Sequence, residues 1–451
     1  MSIEHLYQLY LQHPVVSTDS RRTPEGCMFF ALKGESFNGN LFAKKALDAG
    51  AAIAVVDEPD VIKPGDKRFV LVDDVLTALQ QLAAYHRQQF QGPVLQITGT
   101  NGKTTTKELI AAVLSKAYNV LYTQGNLNNH IGVPLTLLRL RTDKHQIAVI
   151  ETGANHPGEI AFLTNIVKPT CGLVTNVGVA HIEGFGSFEG VKRTKGELYD
   201  YLLATAGCKL FLSVSNKDLS GMATERGVEK NDKRIIAYGQ QGTDAQTLIC
   251  EGAVKECTPF VTITWQQEGG AAHVTPTKLI GAYNLDNILA AIAVGLHFGV
   301  TPDDISQALT DYQPSLGRSE YRQTEYNRLI IDAYNANLTS MQAALTNFGN
   351  LSLPNKMVIL GDMNELGTDS QYAHKQILDK VWSMPDIKEA WLVGKCWKKS
   401  LSNPERSNIT YRLFANVEEV KAYINEHKPT DMTILVKGSN SIKLHQLPEL
   451  L

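Results

Sequence analysis

Short apolar runs alternate with segments of helical spacing through the middle of the chain. The strand-like runs there are Val94–Thr98, Gln146–Ile150, Cys171–Thr175 and Leu210–Val214. Thr104–Ala117 and Asn284–His297 have the spacing of helices, and Thr247–Ile280 is rich in residues that favour strands. Because uninterrupted apolar runs are typical of strands buried on both faces, the alternation predicts a largely parallel sheet with crossover helices.

The same pattern divides the chain into three α/β domains. Before the Gly92-Pro93 break, short strand-like runs such as Phe69–Val72 mix with helical segments such as Val75–Gln89. After Gln313-Pro314-Ser315, strand-like runs alternate with helices again, as in a Rossmann-like domain. Those later runs are Leu329–Ile331, Met357–Leu360, Ala390–Val393 and Thr433–Val436. We therefore predict a small N-terminal domain at residues 1–90, a central parallel-sheet domain at 91–313 and a Rossmann-like domain at 314–451.

Composition is that of an ordinary globular protein. The 451 residues exceed what one hydrophobic core usually holds, in agreement with several domains. The net charge of −3 gives no basic excess for binding a nucleic acid or an anionic membrane. The six cysteines are scattered without a Cys-x-x-Cys pair, which favours reduced thiols over disulfides or a zinc site. Because the sequence has no signal-peptide pattern and no long apolar span, we expect a cytoplasmic protein.

A glycine-containing loop joins a predicted strand to a predicted helix. Its residues are Gly99, Thr100, Asn101, Gly102, Lys103, Thr104 and Thr105. Glycines let backbone N–H groups approach phosphate oxygens, and a helix N-terminus favours negative charge. Lys103 would contact the β- and γ-phosphates, and the Thr104 hydroxyl is placed to bind Mg²⁺. The loop is about two residues shorter than the usual phosphate loop, and the alternative is a junction that merely needs glycine.

Three further residues could carry chemistry in the central domain. Glu151 comes directly after a buried run, where ligands of open parallel sheets bind, and its carboxylate could hold Mg²⁺ directly or through water. The alternative is a helix-capping or solvated glutamate. His181 could be a ligand, although a lone histidine is more often structural, and Lys195 has the pattern of a solvated helix lysine.

Several segments resemble, in the same order, the motifs of the Mur ligase family. They are Thr98–Thr105, Gly125–Asn129, Glu151–Glu159, Ala180–Ser187, Lys195–Glu197, Tyr334–Asn337, Gly361–Gly367 and Leu435–Ser439. The resemblance runs from about residue 17 to about residue 440 and is strongest to the members that join D-alanyl-D-alanine to UDP-N-acetylmuramoyl-tripeptide. It implies an ATP-dependent, ADP-forming ligase of peptidoglycan precursor synthesis that works through an acyl phosphate. The N-terminal domain would bind the UDP precursor, the central domain ATP and the C-terminal domain the dipeptide.

The resemblance also implies the residues of the nucleotide site. Lys195 resembles the lysine that these ligases carry as a carbamate, and with His181 it would bind the second of two Mg²⁺ ions. Glu151 would bind the Mg²⁺ shared with ATP, and Arg318 resembles the arginine that reaches the γ-phosphate from the third domain. The residues implied in catalysis are Lys103, His181, Lys195 and Arg318. Those implied in ATP binding are Gly99, Thr100, Asn101, Gly102, Lys103, Thr104, Thr105, Asn284, Asn287, Arg318 and Asp332.

Contacts to the two other substrates are implied as well. On the UDP-precursor side they are Ser20, Arg21, Lys33, Asn128 and Asn129. On the dipeptide side they are Tyr334, Asn335 and Asn337. The third residue of the tripeptide is left open between meso-diaminopimelate and lysine, and a monomer is the expected state.

Three other functions share parts of this pattern. The diamino-acid-adding Mur ligase usually carries Asp-Asn-Pro-Arg, which this chain lacks, and folylpolyglutamate synthetase should lack the N-terminal region that resembles residues 17–40. A GTPase-like switch would need Asn-Lys-x-Asp, but Leu219 stands at the aspartate position after Asn216-Lys217-Asp218. The two ligases remain the alternatives, and the switch is disfavoured.

Overall fold

The chain folds around three large β-sheets. The computed structural model describes residues 1–179, 182–243, 247–314, 317–364, 366–401 and 409–451. Within them the sheets have four, nine and six strands, and parallel pairs predominate, so the predicted α/β class is confirmed. None of the helices in these ranges is both long and apolar enough to span a membrane.

The first sheet is small and parallel. The elements around it are α1 (Ile3–Gln12), β1 (Val16–Ser17), β2 (Met28–Phe30), β3 (Lys33–Gly34), β4 (Phe37–Asn38), α2 (Ala43–Asp48), β5 (Ile53–Val56), β6 (Phe69–Leu71) and α3 (Val75–Gln88). The strand order is β1-β2-β5-β6, and β3 and β4 form a separate hairpin. One apolar cluster joins Phe30 and Val55 of this sheet to Leu79 of α3 and Ile150 of the next sheet. The first two sheets therefore share a core.

The second sheet contains the loop that the sequence singled out. Its elements are β7 (Val94–Thr98), α4 (Lys103–Leu114), β8 (Val120–Tyr122), α5 (Gly132–Leu137), β9 (Ile147–Glu151), α6 (Glu159–Val167), β10 (Cys171–Val174), α7 (Ile182–Phe185), α8 (Phe188–Ala204), β11 (Lys209–Ser213), α9 (Lys217–Thr224), β12 (Ile235–Gln240), β13 (Cys250–Cys257), β14 (Phe260–Gln267), β15 (Ala272–Ile280), α10 (Leu285–His297) and α11 (Pro302–Asp311). The order is β15-β14-β13-β12-β11-β10-β7-β9-β8, parallel from β8 to β13 and antiparallel beyond. The β-rich stretch predicted at Thr247–Ile280 is thus an antiparallel extension of the parallel sheet.

The third sheet belongs to the C-terminal part of the chain. Its elements are β16 (Glu320–Gln323), β17 (Arg328–Asp332), α12 (Leu338–Asn350), β18 (Lys356–Gly361), α13 (Ser370–Trp382), β19 (Ile387–Val393), α14 (Cys396–Ser400), β20 (Thr410–Phe414), α15 (Val417–Glu426) and β21 (Thr433–Lys437). The strand order is β16-β17-β21-β18-β19-β20, and all pairs except β16–β17 are parallel. The four strand-like runs predicted there are β17, β18, β19 and β21.

Strand register brings polar residues of distant segments together. In the second sheet Ile97 pairs with Glu151 and Thr98 with Val174, so the loop after β7 meets the ends of β9 and β10. In the third sheet Asp332 pairs with Lys437 at the ends of β17 and β21. Because ligands of open α/β sheets bind outside the carboxyl ends of the strands, these two edges are where a site is expected.

Candidate active site

The loop after β7 is shaped by a close approach of two strand ends. Gly99 has a φ of +146°, and a Cβ there would lie 2.0 Å from the Thr175 hydroxyl, so glycine is required. The N–H groups of Thr100 and Asn101 donate to Asn176 at 2.9 Å each, to its carbonyl and its side-chain oxygen respectively. These hydrogen bonds hold the loop backbone against the end of β10.

Lys103 is the first residue of α4. Gly102 precedes it in the left-handed conformation, with a φ of +77°, so the helix begins at Lys103 rather than at Thr104 as predicted. The ammonium of Lys103 donates to the carbonyls of Gly99 at 2.7 Å and Thr100 at 3.0 Å. A cation is thus held over the loop at a helix N-terminus, an arrangement that favours phosphate binding.

Thr104 and Glu151 meet in the buried layer below the loop. The Thr104 hydroxyl donates to both Glu151 carboxylate oxygens, at 2.9 and 3.1 Å. The Asn128 side-chain amide donates to the same carboxylate at 2.8 Å, and the Glu151 N–H donates to the Thr123 hydroxyl at 3.0 Å. Hydroxyl and carboxylate oxygens are the donors that Mg²⁺ prefers, so the residues present fit a magnesium ion beside the phosphates.

The C-terminal edge facing this loop is held by contacts between its own residues. Lys437 donates to the Asp332 carboxylate at 2.5 Å and to the Asn335 carbonyl at 3.3 Å. The Arg318 guanidinium carbon lies 3.6 Å from the centre of the Tyr334 ring. The charged groups of this edge are thus already paired or stacked.

A hydrogen bond between two asparagine side chains joins the two edges directly. The Asn337 side-chain amide donates to the Asn101 side-chain oxygen at 2.8 Å. The same Asn337 side chain caps α12 by accepting from the Ser340 N–H at 2.9 Å. A residue predicted on the dipeptide side therefore also joins the phosphate loop to a helix of the third sheet.

A cavity of about 850 Å³ lies between the two edges. Thr100–Thr105, Asn128 and Glu151 line one wall, and Arg318, Asp332 and Tyr334–Asn335 line the other. A volume of this size can hold a nucleotide with a second ligand. The structure thus brings the predicted phosphate loop, two of the four predicted metal ligands (Thr104 and Glu151) and Arg318 together around one cavity.

Known proteins match this chain along nearly its whole length. Three family models match in order: "Mur ligase family, catalytic domain" at residues 14–87, "Mur ligase middle domain" at 97–295 and "Mur ligase, glutamate ligase domain" at 317–440. The UDP-N-acetylmuramoyl-tripeptide–D-alanyl-D-alanine ligase of Escherichia coli K12 is 36% identical over 438 residues, covering 96% of this chain and 92% of that protein. The chain belongs to the Mur ligase family.

Solved Mur ligases share the whole fold. Crystal structure I of MurF from Acinetobacter baumannii matches with a TM-score of 0.84 and 30% identity, over 99% of this chain and 97% of that one. MurF from Thermotoga maritima, solved in complex with ADP, matches with a TM-score of 0.79 and 23% identity, over 98% and 97% of the two chains. The three-sheet architecture is therefore shared with these solved Mur ligases.

Lys195 of this Mur ligase is not the solvated lysine that its helical pattern predicted. Its side chain on α8 is buried, and its ammonium is 3.5 Å from the carbonyl of Ala154, a residue that lines the cavity. The pKa of Lys195 is lowered to about 7, chiefly because burial disfavours the ammonium and secondly because the Lys103 cation lies near. His181 lies outside the described residues, and its role stays a prediction.

The two asparagines assigned to the nucleotide side support the phosphate loop. The Thr106 hydroxyl donates to Asn287 at 3.0 Å, Asn287 donates to Asn284 at 2.9 Å, and Asn284 donates to the Ile280 carbonyl at 2.9 Å. A Cβ on Gly102 would lie 2.6 Å from the Asn287 side-chain oxygen. Both asparagines line the cavity, so this chain places them beside the start of α4.

The predicted UDP contacts lie outside this cavity, at the carboxyl edge of the first sheet. Arg21 is exposed and pairs with Asp19 through two hydrogen bonds of 2.9 Å. The Lys33 ammonium lies 2.9 Å from Asp57 and 3.1 Å from Glu58. Ser20 is in the turn next to Arg21, after β1. The structure therefore does not bring these residues to the phosphate loop.

The two asparagines predicted to face the precursor do reach the cavity. Asn128 is bonded to Glu151, as described above, whereas Asn129 accepts hydrogen bonds from the N–H groups of Ile131 and Gly132 at the start of α5. Both residues line the cavity. The loop that contains Asn128 and Asn129 is thus hydrogen-bonded to Glu151, a predicted metal ligand.

Sequence reasoning missed one buried cation of the site. Lys107 is fully buried and donates to the Thr123 carbonyl at 2.6 Å, and its ammonium lies 2.8 Å from Glu108 and 4.0 Å from Glu151. The signal was present in the spacing, because Lys107 stands one helical turn after Lys103 on the same face of α4.

Proposed function

We propose that this Mur ligase joins D-alanyl-D-alanine to the terminal carboxylate of UDP-N-acetylmuramoyl-tripeptide, with ATP cleaved to ADP and phosphate, in cytoplasmic peptidoglycan precursor synthesis. One observation carries the proposal: a phosphate loop with Thr104 and Glu151 faces Arg318 and Asp332 across a single cavity. The full-length relatives that bear this activity in their names support the choice of substrates.

Each sheet is assigned one substrate in this proposal. Residues 1–90 would bind the UDP end of the precursor through Ser20, Arg21 and Lys33. Residues 91–313 would bind ATP, and residues 314–451 would bind the dipeptide near Asn335. The support is positional, since polar residues gather at the carboxyl edges of all three sheets.

In the first step a carboxylate oxygen of the tripeptide attacks the γ-phosphorus of ATP. An O–P bond forms, the bond to the bridging oxygen breaks, and ADP leaves with its electron pair. Carboxylate and triphosphate repel each other, so the protein must supply positive charge rather than a base. Lys103 over the loop and Arg318 on the opposite wall would supply it, and their positions on facing walls of the cavity support this role.

In the second step the free amine of the dipeptide attacks the acyl carbon. The C–N bond forms through a tetrahedral intermediate, the bond to the phosphate oxygen breaks, and the nitrogen loses a proton. Holding both substrates in one cavity lowers the entropic part of this barrier. The Asn337–Asn101 hydrogen bond joins the two walls between which the substrates would meet.

Two Mg²⁺ ions are part of the proposal. Thr104 and Glu151 would hold one, and His181 with a carbamate on Lys195 would hold the other, supplying charge that neutralises the phosphates. A carbamate forms when a neutral amine adds to CO₂. Burial of Lys195 and its pKa of about 7 favour that neutral amine, which supports the modification.

The test is phosphate release from ATP and Mg²⁺ with UDP-N-acetylmuramoyl-tripeptide, with and without D-alanyl-D-alanine. The tripeptide is offered with meso-diaminopimelate and with lysine as its third residue. We expect release that requires both substrates and a product heavier by one dipeptide unit. Release with a dipeptide precursor and a free diamino acid instead would contradict the proposal and assign the preceding ligation.

A further inference from the structure

Arg318 and Tyr334 form a stack in the wall opposite the phosphate loop. The guanidinium carbon lies 3.6 Å from the ring centre, and both side chains line the cavity. At this distance the planar cation lies against the face of the ring, where its attraction to the aromatic quadrupole is largest. The contact is between the residue assigned to the γ-phosphate and one assigned to the dipeptide.

Arg318 has few other restraints. Its Nε is buried and has no hydrogen-bond partner among the residues that the structure describes. The carboxylate of its own wall, Asp332, is already paired with Lys437 at 2.5 Å. A long side chain with an unpaired buried nitrogen needs another contact to hold its plane, and the Tyr334 ring supplies one.

The backbone is anchored on both sides of Tyr334. The Ala333 N–H donates to the Gly317 carbonyl at 2.9 Å, so the backbones next to the two stacked residues are tied together. On the other side of Tyr334, the Asn335 carbonyl accepts from Lys437 at 3.3 Å. The ring therefore projects from an anchored backbone and can orient the longer Arg318 side chain, which has more rotatable bonds.

We propose that Tyr334 is a positioning residue for Arg318, whose guanidinium it orients toward the phosphate that is transferred to the tripeptide carboxylate. This role requires the face of the aromatic ring, against which the guanidinium stacks, and not the Tyr334 hydroxyl. The inference rests on the proposed function and changes one part of it, because Tyr334 then acts in acyl phosphate formation rather than in binding the dipeptide.

The experiment measures acyl phosphate formation alone. ATP, Mg²⁺ and the UDP-tripeptide are supplied without D-alanyl-D-alanine, and hydroxylamine traps the acyl phosphate as a hydroxamate. Tyr334→Leu should lower the rate by about 10- to 30-fold, which is the size of a desolvated cation–π contact. Tyr334→Phe should restore most of the rate. In an Arg318→Ala background, Tyr334→Leu should cause no further fall, since the ring then has nothing to orient.

Tyr326 provides the matched control. It also stacks with a cation, Lys428, whose ammonium lies 4.3 Å from its ring centre, but it is outside the cavity. Tyr326→Leu should leave hydroxamate formation unchanged. Circular dichroism and thermal unfolding of all variants show whether a lost rate reflects a lost fold.

Two results would overturn the inference. One is a Tyr334→Leu enzyme that forms hydroxamate normally but needs much more D-alanyl-D-alanine, which would return Tyr334 to the dipeptide site. The other is an equal effect of Tyr334→Leu with and without Arg318. Should the wild type trap no hydroxamate from either tripeptide, phosphate release with both substrates decides the proposed function. The stack is then tested by measuring the affinity of each variant for a non-hydrolysable ATP analogue by calorimetry. Non-additive losses then support it, and additive losses refute it.

Discussion

Both walls of the cavity are lined by polar residues, but these residues come together in different ways. The phosphate-binding part of the wall of the second sheet is one contiguous segment, Thr100–Thr105, beside which strand register and a hydrogen bond place Glu151 and Asn128. The wall of the third sheet joins three separated pieces, at Arg318, at Asp332–Asn337 and at Lys437, through a stack and an ion pair. The centre of the first wall, which we call the motif wall, is thus a sequence motif, whereas the second, the assembled wall, exists only once the domain has folded.

This difference predicts how substitutions act on each wall. In the motif wall a side chain works on the substrate directly, so its loss should abolish chemistry while the fold persists. In the assembled wall each side chain also holds another one, so its loss should cost both stability and rate. Variants that separate these two effects test the comparison.

The largest effect is expected at Lys103. Lys103→Ala removes the cation over the loop and should lower phosphate release by about 10²–10³-fold, with an unchanged thermal midpoint. Lys116→Ala is the control, because Lys116 lies just after the helix that Lys103 begins and pairs with Asp311 instead of contacting the loop. This variant should keep full activity. A Lys103→Ala enzyme within tenfold of the wild type in steady-state phosphate release would show that the loop does not work as proposed.

The second-largest loss of rate is expected at Lys195, whose carbamate would be a metal ligand. Lys195→Ala should lower the rate by about 10²-fold, because a metal ligand is lost. With ¹³C-labelled CO₂, NMR should show a carbamate carbon in the wild type that is missing in this variant. At fixed dissolved CO₂ the signal should grow as the pH rises through about 7, since the neutral amine becomes the main form above the pKa of Lys195.

The control for that experiment is on the same helix. Hydrogen bonds to Asp218 and Glu189 raise the pKa of Lys192, so its ammonium stays protonated and should not react with CO₂. Lys192→Ala should keep the carbamate signal. A signal that follows Lys192, or that is absent from the wild type at every pH, would remove the carbamate from the mechanism.

In the assembled wall, two buried lysines of the third sheet make a matched pair. Lys437 ends β21 at the cavity, whereas Lys356 begins β18 at the far end of the sheet, where it donates to the Gly349 carbonyl at 2.8 Å. Each change to Met should cost roughly 1–3 kcal/mol in free energy of unfolding, because a buried hydrogen bond to a charge is lost. Only Lys437→Met should also lower kcat, by about tenfold, as Asp332 and Asn335 shift.

Urea unfolding and steady-state kinetics on both variants decide this point. Equal losses of activity in Lys437→Met and Lys356→Met would mean that activity depends on the stability of the whole third sheet and not on local contacts at the cavity. The assembled wall would then have no local role in positioning.

The contrast between a contiguous motif and an assembled wall also explains which features could be predicted from the sequence. The strand Val94–Thr98 has the bounds of β7, and the loop after it could be assigned a phosphate role, because both depend on neighbouring residues only. Burial of Lys195 was not foreseeable from helical spacing, since it depends on how α8 packs against its neighbours. The Asp332–Lys437 pair depends on two strands that lie about a hundred residues apart.

The assigned roles in the site stay predictions for the same reason. A resemblance transfers a residue's position, and the structure shows its contacts, but neither measures a rate. Ser20, Arg21 and Lys33 illustrate the gap, because Arg21 and Lys33 are already paired with carboxylates that a UDP ligand would have to displace or share.

The smallest effect is expected where the two walls touch. Asn337→Ser keeps a good helix cap but cannot reach Asn101, so it should preserve stability and lower kcat/KM by several-fold, since the walls are held less firmly. Asn337→Ala also loses the cap and should cost about 1 kcal/mol in thermal unfolding. If Asn337→Ser has the activity of the wild type while Asn337→Ala loses it in proportion to stability, Asn337 serves only its helix, and the walls meet without its help.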